Sequence, residues 1–472
     1  MKRVLWGIGG VVATLVLAAG ILALTFDIDT HKTRIEAAAS KAMGIKVSIL
    51  GAVRLELFPR ASLFMENLFI QNRGMAVLST PLLVARIRFL PLLRGEIRMR
   101  EVVVTAPKVF ITRDATGRFN LEKLEKHPLG WKSSPMFLDV GRILVAKGHV
   151  LYRDEAANRK IYANECNVTV RNLFVAGGGL TGGHSFEGDV SCRDAGTERL
   201  RVADVRAVVR AGGGKISADP VTMKIFGGEG RGSVLRVMKD GQAEYEVDLA
   251  ISRLRFEEVL WTFHQKKNVV GALDLASHLT MRGANTKEMT RTAQGRVSLR
   301  GRNLRLENLD LDLLLAKVEK SQHFNLVDLA AFLFVGPLGT LLTKAIDFGS
   351  ILQEIPGAKS EIRVLVSDWE VRSGVAEAHD VAFTTSKNRF ALAGKLDFVH
   401  NRFEDLSVAV LNAKGCAMSS QRIHGDFTNP QIDPPIPPLS VLGPFFSLLR
   451  KPFEMLQGGE CKVYYRGSVE QP

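Results

Sequence analysis

Cysteine is scarce in this chain, four in 472 residues. No two of them form a CxxC and no histidine cluster stands beside them, so a zinc site is not expected. Catalytic signatures are missing too. There is no HExxH, no Walker P-loop and no GxSxG; Gly183–Glu187, GHSFE, lacks the final glycine. Gly177, Gly179 and Gly182 satisfy GxGxxG, but a strand pattern follows them, so no helix N-terminus is there to hold a phosphate. That stretch and Ala211–Lys215 read as hairpin loops. Arg113–Asn120 pairs Asp114 with Asn120 across Gly117, with too few oxygen ligands for a calcium loop, and reads as a tight turn. The ten histidines are dispersed. No enzymatic activity, cofactor or metal is therefore expected. The formal charge is +14, which suits an anionic partner or a solvated basic surface. No basic helix with interleaved aromatics and no nucleic-acid module is present, so nucleic acid is not the expected partner. A βαβ rhythm is also lacking, which predicts an antiparallel, meandering sheet.

Hydrophobic residues make up 46% of the chain, enough for a large core. Lys2 and Arg3 precede an uncharged run from Val4 to Phe26. As a helix this run reaches roughly 34 Å at about 1.5 Å per residue, enough for a hydrocarbon core of about 30 Å. It exceeds the apolar core of a cleaved signal peptide and lacks a clear small-x-small site, so an uncleaved anchor with a cytoplasmic N-terminus is expected. The bulk of the chain then lies outside the cytoplasm. In such a compartment four cysteines allow three pairings. The local one, Cys166–Cys192 with Cys416–Cys461, is preferred; that Cys166 and Cys192 are merely small buried residues stays open.

Beyond the anchor the spacing predicts a short helix, capped by Asp29 or Thr30, with Ile35, Ala38, Ala39 and Ala42 on one face and Gly44 at its end. About twenty strand-like segments of about 5–9 residues follow, with period-two alternation between turn residues. Val53, Leu55 and Leu57 form one such stripe; Tyr245, Val247, Leu249 and Ile251 another; Leu273, Leu275, Leu279 and Met281 a third; Ile362, Val364 and Val366 a fourth; Leu406, Val408 and Val410 a fifth. Three stretches break the rhythm. Leu121–Lys126 reads as a short helix or an exposed connection. Leu309–Asp347 reads as mostly helical. Asn429–Pro438, NPQIDPPIPP, is too rich in proline for helix or central strand and reads as an extended linker. Within the second, the uncharged stretch Leu329–Thr343 is shorter than a membrane span and is broken by Gly336-Pro337-Leu338-Gly339. A hairpin of two short apolar helices is expected there, and an interfacial element at Ser440–Leu456. Phe332, Leu333, Phe334, Phe445, Phe446 and Leu449 are the candidate membrane contacts, with ordinary core packing as the alternative.

Several stretches resemble the AsmA family of bacterial envelope proteins. KAMGIKV at Lys41–Val47 leads to GAVRLELFPRASLFMENLFI at Gly51–Ile70, then to a long segment ending VTAPKVFITRDATGRFN at Val104–Asn120. The Pro59 turn, the Leu90–Leu93 turn, Pro107 and the Asp114…Gly117…Asn120 turn stand in the order that family shows. Val327–Gly349, and Gly415–Pro430 with Cys461–Pro472, resemble the AsmA-like C-terminal domain, in which Cys416 and Cys461 recur as a pair. The resemblance implies an inner-membrane anchor, a periplasmic location, a role in outer-membrane assembly and phospholipid transport through a curled β-groove. It divides the chain into residues 1–26 (cytoplasmic tip and anchor), 27–130 (N-terminal region), 131–300 (central β-rich groove) and 301–472 (C-terminal domain with apolar helices).

The expected fold is therefore mainly β: an N-terminal transmembrane helix, then a long curled antiparallel sheet forming a groove, with a helical hairpin in the C-terminal region. A sheet that is apolar on one face must hide that face, against another sheet or against acyl chains. Carrying a chain of roughly 16 carbons through water costs about 0.8 kcal/mol per methylene, roughly 12 kcal/mol in all, which a continuous apolar surface removes. Val247, Leu249, Leu273, Leu275, Val364, Val408 and Val410 are the candidate groove residues. The competing expectation is a non-transporting scaffold that binds outer-membrane or periplasmic proteins through strand edges.

Overall fold

A computed structural model of the protein describes residues 32–43, 45–56, 61–87, 99–120, 138–175, 184–264, 269–308, 310–312, 359–433 and 463–472. The expected anchor, the apolar hairpin with Phe332, Leu333 and Phe334, the element with Phe445, Phe446 and Leu449, and Cys461 lie outside these residues. No helix among the described residues is long and apolar enough to cross a membrane. The chain divides into two units, Met1–Val221 and Thr222–Pro472.

In the first unit helix α1 (Lys32–Met43) sets Ile35 and Ala39 against Val47, Ile49, Val53 and Leu68. Ser40 Oγ accepts the Val47 N–H at 2.9 Å, and Glu36 accepts that of Ile49. Strands β1 (Lys46–Ile49) and β2 (Val53–Glu56) both pair with β3 (Ser62–Asn72), which pairs with β4 (Met75–Ile87). Next come β5 (Met99–Thr105) and β6 (Lys108–Arg113), two pieces of one ribbon broken at Ala106-Pro107, where proline offers no N–H to the ladder. β7 (Leu138–Asp154), β8 (Arg159–Val175), β9 (His184–Gly196) and β10 (Arg201–Gly212) complete the sheet.

The expectation of a wholly antiparallel sheet is corrected here. β7 runs parallel to both β5 and β6, so the sheet is mixed. Parallel neighbours need a crossover of about a dozen residues or more, and β6 ends at Arg113 while β7 begins at Leu138. The start of that crossover is pinned by Asn120, which is fully buried. Its Oδ1 accepts the Thr112 N–H, and its Nδ2 donates to the Ala76 and Phe110 carbonyls. The strands are also longer than the expected 5–9 residues: β7 and β8 have 17 each.

Cys166 and Cys192 form a disulfide between β8 and β9. They are 26 residues apart, so losing the link should cost about 3 kcal/mol through the entropy of the unfolded chain. The double variant Cys166→Ser/Cys192→Ser is expected to lower the urea midpoint of the first unit; an unchanged midpoint would show that the link carries no stability.

β11 (Lys215–Ile225) runs across the division. The second unit holds β12 (Gly228–Lys239), β13 (Gln242–Arg255), β14 (Val269–Val270), β15 (Ala272–Arg282), β16 (Gln294–Glu307) and β17 (Lys359–Arg372). It continues through β18 (Val375–Thr384), β19 (Arg389–Asp397), β20 (Arg402–Leu411), β21 (Ala417–Asp426) and β22 (Asn429–Ile432). From β12 onward each strand pairs antiparallel with the next, except that β13 pairs with β15 and the short β14 lies beside β16. Two-residue turns carry the chain round: Asp240-Gly241 and Ser373-Gly374 all have positive φ, the conformation that matches strand twist.

Two helices were not anticipated. α2 (Phe256–His264) buries Phe256, Val259 and Leu260. α3 (Thr286–Thr292) starts at Asn285, whose side chain accepts the Glu288 N–H, while Glu288 accepts the Ala284 N–H; this reciprocal cap is legible in the spacing Asn285…Glu288. The linker reading is corrected at its start. Asn429–Ile432 is a strand beside β21, with Pro430 opposite Gly425, tolerated because it pairs on one side only.

The core of this unit is aromatic and aliphatic. Phe383 and Phe390 are fully buried and stack at 4.5 Å, and Phe427 meets Phe403 edge-on at 4.9 Å. On the opposite side of β17–β20, residues 463–472 form a strap. Tyr465 and Val469 pack over Ala382, Ala391 and Ala409. Tyr465 donates to Asp380, as does the Ser468 N–H at 3.0 Å, and Arg389 donates to the Val469 carbonyl at 3.1 Å. Cys416 forms a backbone bridge with Val463 and is disulfide-bonded; its expected partner, Cys461, lies outside the described residues.

Burial alone would push the Asp380 carboxyl up. Hydrogen bonds from Ser468 and Tyr465, with the charge of Arg300, outweigh burial and hold it below the ordinary value of 3.8. A carboxyl depressed on folding contributes stability that is complete above that value and is lost as pH falls through the lower folded value. The strap is therefore expected to loosen in acid below about pH 4. Amide exchange of Ser468 and Val469 should rise there, and Asp380→Asn should give that rise at neutral pH; protection independent of pH in the wild type would contradict it.

Candidate functional site

Strand pairing in the second unit puts apolar side chains on one face and charges on the other. Val247 stands opposite Leu279, Leu275 opposite Leu299, and Val297 opposite Trp369. The Trp369 indole N–H donates to Ser367 Oγ at 2.8 Å, so its polar atom is satisfied within the sheet. The reverse face carries Glu244–Arg282, Asp248–His278 and Arg300–Asp368 pairs. This is the alternation expected of a one-faced sheet.

Burial varies along the apolar face. Leu273, Val408 and Val410 sit in the closed core, 1%, 1% and 5% exposed, so these three groove candidates pack as core. Val247, Leu249 and Leu275 are half-buried, and Val234, beside Val247, is 39% exposed. The face is thus closed toward β18–β21 and at the α2 end of β13, where Ile251 and Leu254 are buried, and open toward the other end of β12–β13. Val364 is corrected outright: it lies on the opposite face, packed with Val366, Ala382 and Tyr465 under the strap. Strict alternation would group Ile362, Val364 and Val366. Instead Ile362 and Leu365, three apart, both enter the core, because the ladder is irregular beside Asn303, which has a positive φ.

Where the open face meets α3 there is an apolar cleft of about 490 Å³. Leu279, Val297, Trp369 and Val371 form its floor; Met289 and Ala293 line it from α3 and its C-cap; Leu396 and Phe398 line it from the end of β19. α3 is fixed there by Ala293, whose carbonyl accepts the Gly374 N–H at 3.0 Å. A Cβ at Gly374 would come within 2.3 Å of the Thr290 carbonyl oxygen, so only glycine lets helix and turn approach this closely. The sequence reading placed Leu279 and Met281 on the apolar stripe but did not single out Trp369, Met289 or Phe398. Trp369 follows the period-two pattern of β17 from Leu365 and was legible; Met289 was not, because α3 was missed.

The first unit has its own one-sided face. Leu83, Val104, Val145, Val168 and Val190 follow one another across five strands, all half-buried. The Cys166–Cys192 link lies on this side, and Arg86–Glu101 and Arg171–Asp189 pairs lie on the other.

Fold and cleft together define a class: a large β-sheet protein that presents apolar sheet surface along one face. The AsmA family model matches residues 1–178, so the N-terminal part of the chain is AsmA-family sequence. No curated protein and no solved structure matches the chain. The family is envelope-associated, with a role in envelope biogenesis related to lipid.

Proposed function

We propose that the protein is anchored in the bacterial inner membrane, faces the periplasm, and shields or moves phospholipid acyl chains on the open apolar face of its second unit. It makes and breaks no covalent bond in this role. The observation that carries the reading is the apolar cleft at the open end of a one-faced sheet, in a chain whose first 178 residues match the AsmA family. Each methylene seated there avoids about 0.8 kcal/mol of exposure to water. Taking a water-sized share of about 30 Å³ per methylene, the cleft holds roughly one acyl chain.

A photo-crosslinking residue at Leu249, Leu275 or Leu279 should capture phospholipid in cells, while one at Val364, on the other face, should not. Capture of protein neighbours alone at the first three positions, with outer-membrane protein precursors in the pull-down, would favour the scaffold reading instead.

A further inference from the structure

Two clefts open on opposite faces of the sheet at the end where α3 joins β15 to β16. On one side lies the apolar cleft just described. On the other lies a polar cleft of about 450 Å³, and Met281 lines both. The charged residues of the polar cleft are Glu244, Glu246, Arg282 and Arg291, two of each sign. Glu244 and Arg282 pair with each other. Among the described residues Glu246 and Arg291 have no ion-pair or hydrogen-bond partner. Beyond the cleft lining, Asp248 and His278 each place a polar atom within 4.8 Å of the Glu246 carboxylate, and these two pair with each other at 2.7 Å. One cleft thus offers an unpaired guanidinium on the helix and an unpaired carboxylate on β13.

We propose that this cleft is a headgroup site for zwitterionic phospholipid, with Arg291 meeting the phosphate, Glu246 the ammonium, and an acyl chain passing round the sheet end at Met281 and α3 into the apolar cleft on the other face. The assignment rests on the lipid reading above and adds the class of headgroup. A guanidinium recognises phosphate through charge-assisted hydrogen bonds, and a carboxylate recognises an ammonium likewise. An anionic headgroup without an ammonium would satisfy Arg291 but leave its negative charge facing Glu246. That like-charge contact is the selective element.

The test uses the purified full-length protein and native mass spectrometry, with phosphatidylethanolamine, phosphatidylglycerol and diacylglycerol of identical acyl chains. The wild type is expected to prefer phosphatidylethanolamine over phosphatidylglycerol by about tenfold, the scale of one charged hydrogen bond. E246Q should bring the two within about twofold, and R291Q should weaken both phospholipids but spare diacylglycerol. Both side chains are exposed, so neither change should alter the melting temperature. Equal binding of the two phospholipids by the wild type, or a preference untouched by E246Q and R291Q, overturns the headgroup site while continued diacylglycerol binding leaves the acyl-chain reading standing. Failure of all three lipids to bind would remove both.

Discussion

Phe390→Ala is expected to destabilise the second unit by about 3–5 kcal/mol, the cost of emptying a large buried aromatic site. Phe390 is fully buried and stacked on Phe383, and its backbone pairs with Phe383 on β18 and Val410 on β20. The cavity would be walled by neighbouring strands of one ladder, which cannot collapse without breaking register. Since native domains have only about 5–15 kcal/mol in hand, this single change consumes a large share. Urea unfolding of the full chain, followed by fluorescence of Trp369 and the remaining tryptophans, measures it. Phe390→Leu, which keeps most of the volume, should cost clearly less. A loss under about 1 kcal/mol for the alanine variant would mean that the site is not close-packed.

Leu279→Asp is expected to cut phospholipid occupancy of the full-length protein by more than about tenfold. The side chain lies half-buried on the cleft floor, beside Val247 of β13, in the row that continues through Gly295 to Val371 and next to the Val297–Trp369 row. The substitution removes about 1.5–3 kcal/mol of apolar contact. It also sets a carboxylate against hydrocarbon, where a charge has no solvation. In an empty, water-filled cleft the same carboxylate is hydrated, so the melting temperature should change little. Lipid recovered with the purified variant, quantified against Leu279→Ile, gives the comparison. Equal recovery from both would show that acyl chains do not use this cleft, whatever else the sheet does.

These two outcomes divide the apolar face into its two physical states. The Phe383–Phe390 end is filled by protein and serves stability. The Leu279–Trp369 end is left partly unfilled and is where the proposed function seats an acyl chain. Leu273, Val408 and Val410 belong to the first state; Val247, Leu249 and Leu275 lie toward the second. Periodicity reports only that a side chain points to the apolar side. How far that side is covered depends on which distant strands curl over it, and a stripe such as Leu273–Met281 has the same pattern in both cases.

Alternation, turn chemistry and the absence of catalytic motifs were enough for a mainly β chain with one-sided strands, and for the helix at Lys32–Met43. The Cys166–Cys192 pairing was preferred on proximity. These are local properties, set by side-chain period and backbone preference within a few residues. Only the tertiary structure decided that β7 returns parallel to β5 and β6, that Val364 turns away from the apolar face, and that an apolar and a polar cleft open on opposite faces of the sheet beside α3. Each of these depends on contacts between residues far apart in the chain, or on a single irregular backbone position such as Asn303. A one-residue irregularity reverses the face of every side chain beyond it, and hydropathy patterning does not show where it falls.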